Sequence, residues 1–244
     1  MVAFFHIFIS FIEMENNILK FNLMNKNYLN FFRLFLKQNS LIRILQIYEC
    51  LNISLRGTSL EFGTIRNKDK TFSNFVKGNS KFHYSNKTND KELNISYSDL
   101  TRKLKIPTKK YNNVLLFNVL EHLPEYKLAF MEIHRIIKER GNFIGSVPFI
   151  YQIHGAPKDY FRFSKQFFEL NLKKHRFKQI KVKSLGFGHF VASYSLVYSY
   201  LKYVPFLSQL CLLIAYILDS FIQIFVRTEL KEIYPIGYFF IAKK

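Results

Sequence analysis

The sequence predicts an α/β fold in which a mainly parallel sheet carries helices on both faces. Two observations support this: short apolar runs alternate with helix-spaced segments between Thr58 and Gly188, and Asn113–Val119 (Asn-Val-Leu-Leu-Phe-Asn-Val) is apolar enough for a fully buried strand. Composition agrees. Of 244 residues 49% are hydrophobic and 22% charged, which excludes an intrinsically disordered chain. Two cysteines, Cys50 and Cys211, exclude a disulfide framework and a four-thiolate metal site, so a reducing compartment is the default.

At the amino terminus Met1–Ile12 is nearly all apolar, but no basic residue precedes it and no small-residue cleavage site comes after it, which is not the pattern of a secretory signal. Met14 and Met24 are alternative starts of translation. From Asn27 to Cys50 the residues Leu29, Phe32 and Leu36, then Leu41, Ile44, Leu45 and Tyr48, recur at three and four positions, the spacing of amphipathic helices. Strands are expected at Thr58–Phe62 and Asn113–Val119, with weaker ones at Lys81–Ser85 and Asn94–Tyr97. A helix over Glu125–Lys138 takes Gly141 as its stop signal. Strand Asn142–Val147 ends at Pro148, and helix Ser164–Lys174, strand Gln179–Ser184 and a final strand Gly237–Ala242 complete the pattern.

Before that last strand, Tyr203–Leu218 is uncharged for sixteen residues, and Asp219 interrupts before a further apolar stretch to Val226. A membrane span needs about 20 apolar residues. Three readings stay open: a packed helical insertion, an interfacial helix dipping into a membrane, and a true span. The expected organisation is a helical region at 1–56, the α/β domain at 57–189 and 228–244, and an apolar insertion at 190–227.

Ligands of such sheets bind beyond the carboxyl ends of the strands, so the residues there are the candidates. The first strand ends in Glu61-Phe62-Gly63, a carboxylate and a glycine that lets backbone approach a ligand; a solvated turn explains the same pair. Asp99-Leu100 comes after the third strand. Asn118-Val119-Leu120-Glu121-His122 comes after the fourth and delivers a carboxylate and an imidazole together. Glu121 can orient His122 for proton abstraction, or it can cap the next helix while His122 packs beneath it.

The block Tyr111-Asn-Asn-Val-Leu-Leu-Phe-Asn-Val-Leu-Glu-His-Leu123, with Glu132-Ile-His-Arg-Ile-Ile-Lys138 and Gly141, resembles the central block of the class I S-adenosylmethionine-dependent methyltransferases. The likeness continues through Ser146-Val-Pro-Phe149. His154-Gly-Ala-Pro-Lys-Asp-Tyr-Phe-Arg-Phe-Ser164 is similar to a segment of bacterial members associated with surface glycans. The resemblance covers residues 57–189 and 234–244. It implies a Rossmann-like, seven-stranded, mostly parallel sheet and S-adenosylmethionine as cofactor. It further implies that Glu61 and Gly63 hold the methionine part, that Asp99 and Leu100 lie beside the adenine, and that Asn118 lines the methyl-donor pocket. Near the acceptor it implies His122 and His154 as candidate bases, with Asp159 and Arg162 binding substrate. Two positions depart from the family pattern: Ile65 replaces a second glycine, and Asn86 stands where an acidic residue binds the ribose hydroxyls. Asp159 and Arg162 also have a plainer reading, as a local ion pair pinning the loop.

The resemblance implies methyl transfer to a saccharide-type or other small acceptor, without a metal; the cysteine count makes a cytoplasmic setting the default, and the apolar run at 203–226 adds peripheral contact with the inner face of the membrane as one of its open readings. The net charge of +19 and the twelve basic against four acidic residues in 62–110 favour anionic partners. Nucleic acid is not expected, because no RNA-binding module or zinc finger is present and no Asn/Asp-Pro-Pro-Tyr/Phe segment comes after the fourth strand. An RNA methyltransferase is retained as one alternative. A non-catalytic relative binding a partner or membrane is the other, resting on Ile65, Asn86 and the apolar run.

Overall fold

The computed structural model of the chain describes residues 39–64, 71–87, 95–155 and 158–244. The expected helix turns at Leu29, Phe32 and Leu36, the apolar run 1–12, and Asn94, Ile65, Ala156 and Pro157 lie outside these residues. Helix α1 (Leu41–Leu51) precedes strands β1 (Gly57–Phe62), β2 (Ser80–Asn86), β3 (Ile95–Tyr97) and β4 (Tyr111–Phe117). Then come α2 (Tyr126–Ile136), β5 (Ile137–Pro148), α3 (Lys165–Lys174), β6 (Lys178–Leu185), α4 (His189–Leu201), α5 (Pro205–Gln223), α6 (Leu230–Ile233) and β7 (Gly237–Lys243).

The seven strands form one sheet in the order β3-β2-β1-β4-β5-β7-β6, parallel except for the antiparallel β7. Strand order reverses between β1 and β4, which opens a crevice at their carboxyl ends. Strand β4 alternates its apolar residues between two cores. Leu115 and Phe117 join α1 through Leu41, Ile44 and Ile47, while Val114 and Leu116 join Phe130, Phe143, Phe168 and Phe240 on the opposite face. Each of these phenylalanines is essentially without exposure, and burying such a side chain stabilises the fold by about 1.5–3 kcal/mol.

The structure corrects the expected stop of α2. The helix ends at Ile136 because Ile137 is already extended (φ −76°, ψ 137°) and starts β5, so Gly141 lies inside a strand. Its function is close approach: a Cβ there would sit 2.5 Å from the carbonyl oxygen of Asn112. Helix α3 begins where expected, with the Ser164 hydroxyl accepting from the Phe167 amide.

The apolar segment forms the α4–α5 hairpin. Asp219, which breaks the apolar run in sequence, is buried and accepts from the amides of Phe190 and Val191 at 3.0 and 2.9 Å, capping the start of α4. Tyr194 and Ser208 join the two helices through a buried hydroxyl pair at 2.8 Å. The other face of α5 leaves Phe206, Leu210, Ile214, Ile217 and Phe221 exposed at helical spacing. By length and composition α5 could cross a membrane, and only 22% of its apolar window is buried.

Candidate functional site

At the crevice between β1 and β4 lies a cleft of about 290 Å³. Its wall brings together five residues expected from the strand ends: Gly63, Asn86, Leu100, Asn118 and His122. Gly63 has φ +77°, and a Cβ at that position would meet Val119 Cγ2 at 2.3 Å. The turn therefore needs glycine both for its backbone and for the space it leaves at the cleft. Asn118 also sits in the left-handed region (φ 52°), which asparagine tolerates better than most residues.

Helix α1 fixes the orientation of Asn118. Gln46 Nε2 donates to Asn118 Oδ1 at 2.7 Å, and Asn118 Nδ2 donates back to Gln46 Oε1 at 3.0 Å. Gln46 Nε2 also donates to Ser146 Oγ at 3.0 Å, and that hydroxyl donates to the Tyr238 carbonyl. Sequence reasoning missed Gln46. Its only signal was an amide between Leu45 and Ile47 on the side of the helix that packs.

Two other expected cofactor residues sit outside the cleft wall. Glu61 is buried, and its oxygens accept from the backbone amides of Phe72 and Ser73 at 2.9 and 3.0 Å. Burial pushes its carboxyl up, and those hydrogen bonds partly offset the shift. Its work in this structure is to brace the 71–75 turn against β1. Asp99 accepts from the Thr101 amide and hydroxyl and lies 3.5 Å from Lys87 Nζ, while its neighbour Leu100 faces the cleft. Asn86 lines the cleft, its Nδ2 donating to the Thr64 carbonyl and its Oδ1 accepting from the Lys87 amide, which leaves that oxygen one further lone pair.

Beyond Asn118 a single helical turn, Leu120–His122, carries Glu121 and His122. His122 Nδ1 meets the Lys158 carbonyl at 2.7 Å, and the Tyr160 amide donates to the Glu121 carbonyl at 2.9 Å, so the 158–162 segment is tied against this turn. His154 stands edge-on to His122 with ring centroids 5.0 Å apart. Both imidazole Nε2 atoms face Glu121 Oε1, at 3.8 Å from His122 and 4.0 Å from His154. Glu121 is fully buried, and neither of its carboxylate oxygens has a hydrogen-bond partner. Burial, with a contribution from Asp159, pushes its carboxyl up to about 8. Burial, together with the charge of His122, holds His154 below the usual imidazole value.

Asp159 and Arg162 pair through both guanidinium arms, and Arg162 also donates to the Phe161 and Gln152 carbonyls. That pairing holds the Asp159 carboxyl well below the usual range. The Arg162 fork, expected to bind an acceptor, is filled from within its own loop. Asp159 instead accepts from the His154 amide at 3.0 Å and so positions that histidine.

A cleft at the carboxyl ends of the strands, lined by Gly63 just after β1, Asn86 of β2 and Asn118 just after β4, fits a nucleoside cofactor. The comparisons agree with that geometry. The methyltransferase domain family matches residues 66–145. A S-adenosylmethionine-dependent methyltransferase of Archaeoglobus fulgidus superposes with a TM-score of 0.54 at 14% identity, over 84% of this chain and 93% of that one. One from Thermotoga maritima gives 0.53 at 14% identity, over 88% and 95%. Phosphoethanolamine N-methyltransferase 2 of Haemonchus contortus, solved with S-adenosyl-L-methionine, gives 0.50 at 14% identity, over 82% of this chain and 52% of that one. No curated protein matches the chain. At such identities the likeness is one of fold.

Proposed function

We propose that the chain, whose fold is that of the class I S-adenosylmethionine-dependent methyltransferases and whose residues 66–145 match the methyltransferase domain family, methylates a hydroxyl or other heteroatom of a saccharide-type or other small acceptor. S-adenosylmethionine supplies an electrophilic methyl group when bound. Gly63, Asn86, Leu100 and Asn118 would hold it in the cleft. Such a transfer needs the acceptor atom, methyl carbon and sulfur held nearly in line and, for a hydroxyl, a route for the acceptor's proton.

The observation that carries the reading is that His122 lines the cleft, with His154 edge-on against it, so one imidazole stands at the cleft wall and a second backs it. The test is transfer of a radiolabelled methyl group from S-adenosylmethionine to a panel of sugars, sugar nucleotides and small amines, with tRNA and rRNA in parallel. Label in the small-molecule fraction supports the proposal, and label in RNA alone overturns it. Absence of cofactor binding at millimolar concentration favours the non-catalytic alternative.

We also propose that the exposed stripe of α5 rests on an anionic membrane surface, at the inner face of the membrane. Lys202 and Arg227 flank the two ends of α5, where anionic headgroups would meet them, and the stripe offers Phe206, Ile217 and Phe221 to the acyl boundary. Co-sedimentation with vesicles containing phosphatidylglycerol should fall when Phe206 and Phe221 are both changed to Asn. Equal sedimentation of wild type and variant, or none for either, overturns it.

A further inference from the structure

We propose that Glu121, His122 and His154 form a binding site for a divalent transition-metal ion beside the donor cleft. A fully buried carboxylate with both oxygens lacking a hydrogen bond is costly as it stands, and such a group is stabilised by a proton or a cation. Two imidazoles present Nε2, an atom that ligates metals, to the same oxygen at 3.8 and 4.0 Å. The three donor atoms lie within 4.8 Å of one another.

The outer contacts match as well. A metal-bound histidine directs its other nitrogen at a carbonyl or carboxylate. His122 Nδ1 lies 2.7 Å from the Lys158 carbonyl, which makes it the protonated nitrogen and leaves the Nε2 lone pair facing Glu121. His154 Nδ1 lies 3.3 Å from Asp159 Oδ2, unaligned for a hydrogen bond, and a small rotation of the ring toward Glu121 can align it. Arg162 neutralises Asp159, so that second carboxylate serves to orient the ring.

Ligand bonds near 2.1 Å place tetrahedral donors roughly 3.4 Å apart, so the cluster closes on an ion with side-chain movements of about 1 Å or less. Two imidazoles and one carboxylate leave coordination positions open, as in catalytic zinc sites and two-histidine, one-carboxylate iron sites. His122 also lines the cleft, which places the three donor atoms beside it. The site stands on its own geometry and does not require the proposed acceptor class.

The test uses the untagged full chain stripped with a chelator, with neither donor nor acceptor present, so that its outcome is separate from that of the methyl-transfer assay. Co²⁺ is titrated and followed by its visible absorption bands, and Zn²⁺ by calorimetry. One ion per chain is expected, with affinity lowered at least tenfold by Glu121→Gln and by His154→Ala. Circular dichroism checks that each variant is folded. If Glu121→Gln fails to fold, the partly exposed His154 carries the test. No binding by wild type at millimolar metal, or binding unchanged in a folded variant, overturns the site.

Discussion

Gln46 and Asn118, 72 residues apart, exchange two side-chain hydrogen bonds at 2.7 and 3.0 Å. A helix preceding the sheet thereby sets the side chain at the crevice between β1 and β4. Gln46→Leu should leave Asn118 and Ser146 short of partners inside the protein, costing about 1–3 kcal/mol. The urea midpoint should fall, and S-adenosylmethionine affinity should weaken several-fold in calorimetry. Unchanged cofactor affinity would remove Gln46 as a positioning residue.

Gly63→Ala combines a positive φ with a Cβ placed 2.3 Å from Val119 Cγ2. The left-handed backbone alone costs about 1–2 kcal/mol for a residue with a side chain. Cofactor binding should drop by tenfold or more, and a titration comparing it with wild type checks this.

In the metal-free protein, His122→Ala and His154→Ala should each lower turnover by roughly 100-fold, in the range of a lost general base, while cofactor affinity changes far less. The KM-against-kcat split decides the matter. Full turnover in both variants would show that neither imidazole serves the acceptor.

Arg162 holds the Asp159 carboxyl below its unfolded value of about 3.9, so the ionised pair stabilises the folded chain above that pH. This contribution is present at neutral pH and is lost as pH falls from about 4 toward the lower folded pKa. Urea midpoints of wild type should therefore decline below pH 4 more steeply than those of Asp159→Asn. Parallel acid limbs would contradict the assignment. At pH 7 the variant should already be less stable, because Arg162 and the His154 amide lose a charged acceptor.

Asp219→Ala removes the carboxylate that receives two amides at the start of α4, and a lost helix cap costs about 0.5–2 kcal/mol. Gly188→Ala should act through the same contact, since its Cβ would fall 2.5 Å from Asp219 Cγ. Thermal unfolding should show both variants shifted down, and the double variant less than additive.

The site was legible in part. Gly63, Asn86, Leu100, Asn118 and His122 lie at or beyond the carboxyl ends of strands, and a parallel sheet gathers those ends at one edge. Glu61 and Asp99 were equally conspicuous in the chain, yet their carboxylates turn to Phe72, Ser73 and Thr101 instead of facing the cleft. No spacing rule distinguishes a carboxylate that meets a ligand from one that braces a turn. For Asp159 and Arg162 the plainer ion-pair reading describes the contacts seen, because three residues of separation let the fork close on its own loop. Asp219 looked like a break in an apolar stretch, whereas its partners lie on the preceding helix.

By itself the sequence determined the alternation of strands and helices, the mainly parallel character of the sheet, and the edge at which function sits, because each of these depends on apolar periodicity and on residues adjacent in the chain. Only the tertiary structure decided that Gln46 would grip Asn118 and that His154, 33 positions after Glu121, would close over a carboxylate without hydrogen bonds. Those contacts depend on strand order and on where a loop is tied down, and such long-range geometry leaves no mark in local spacing.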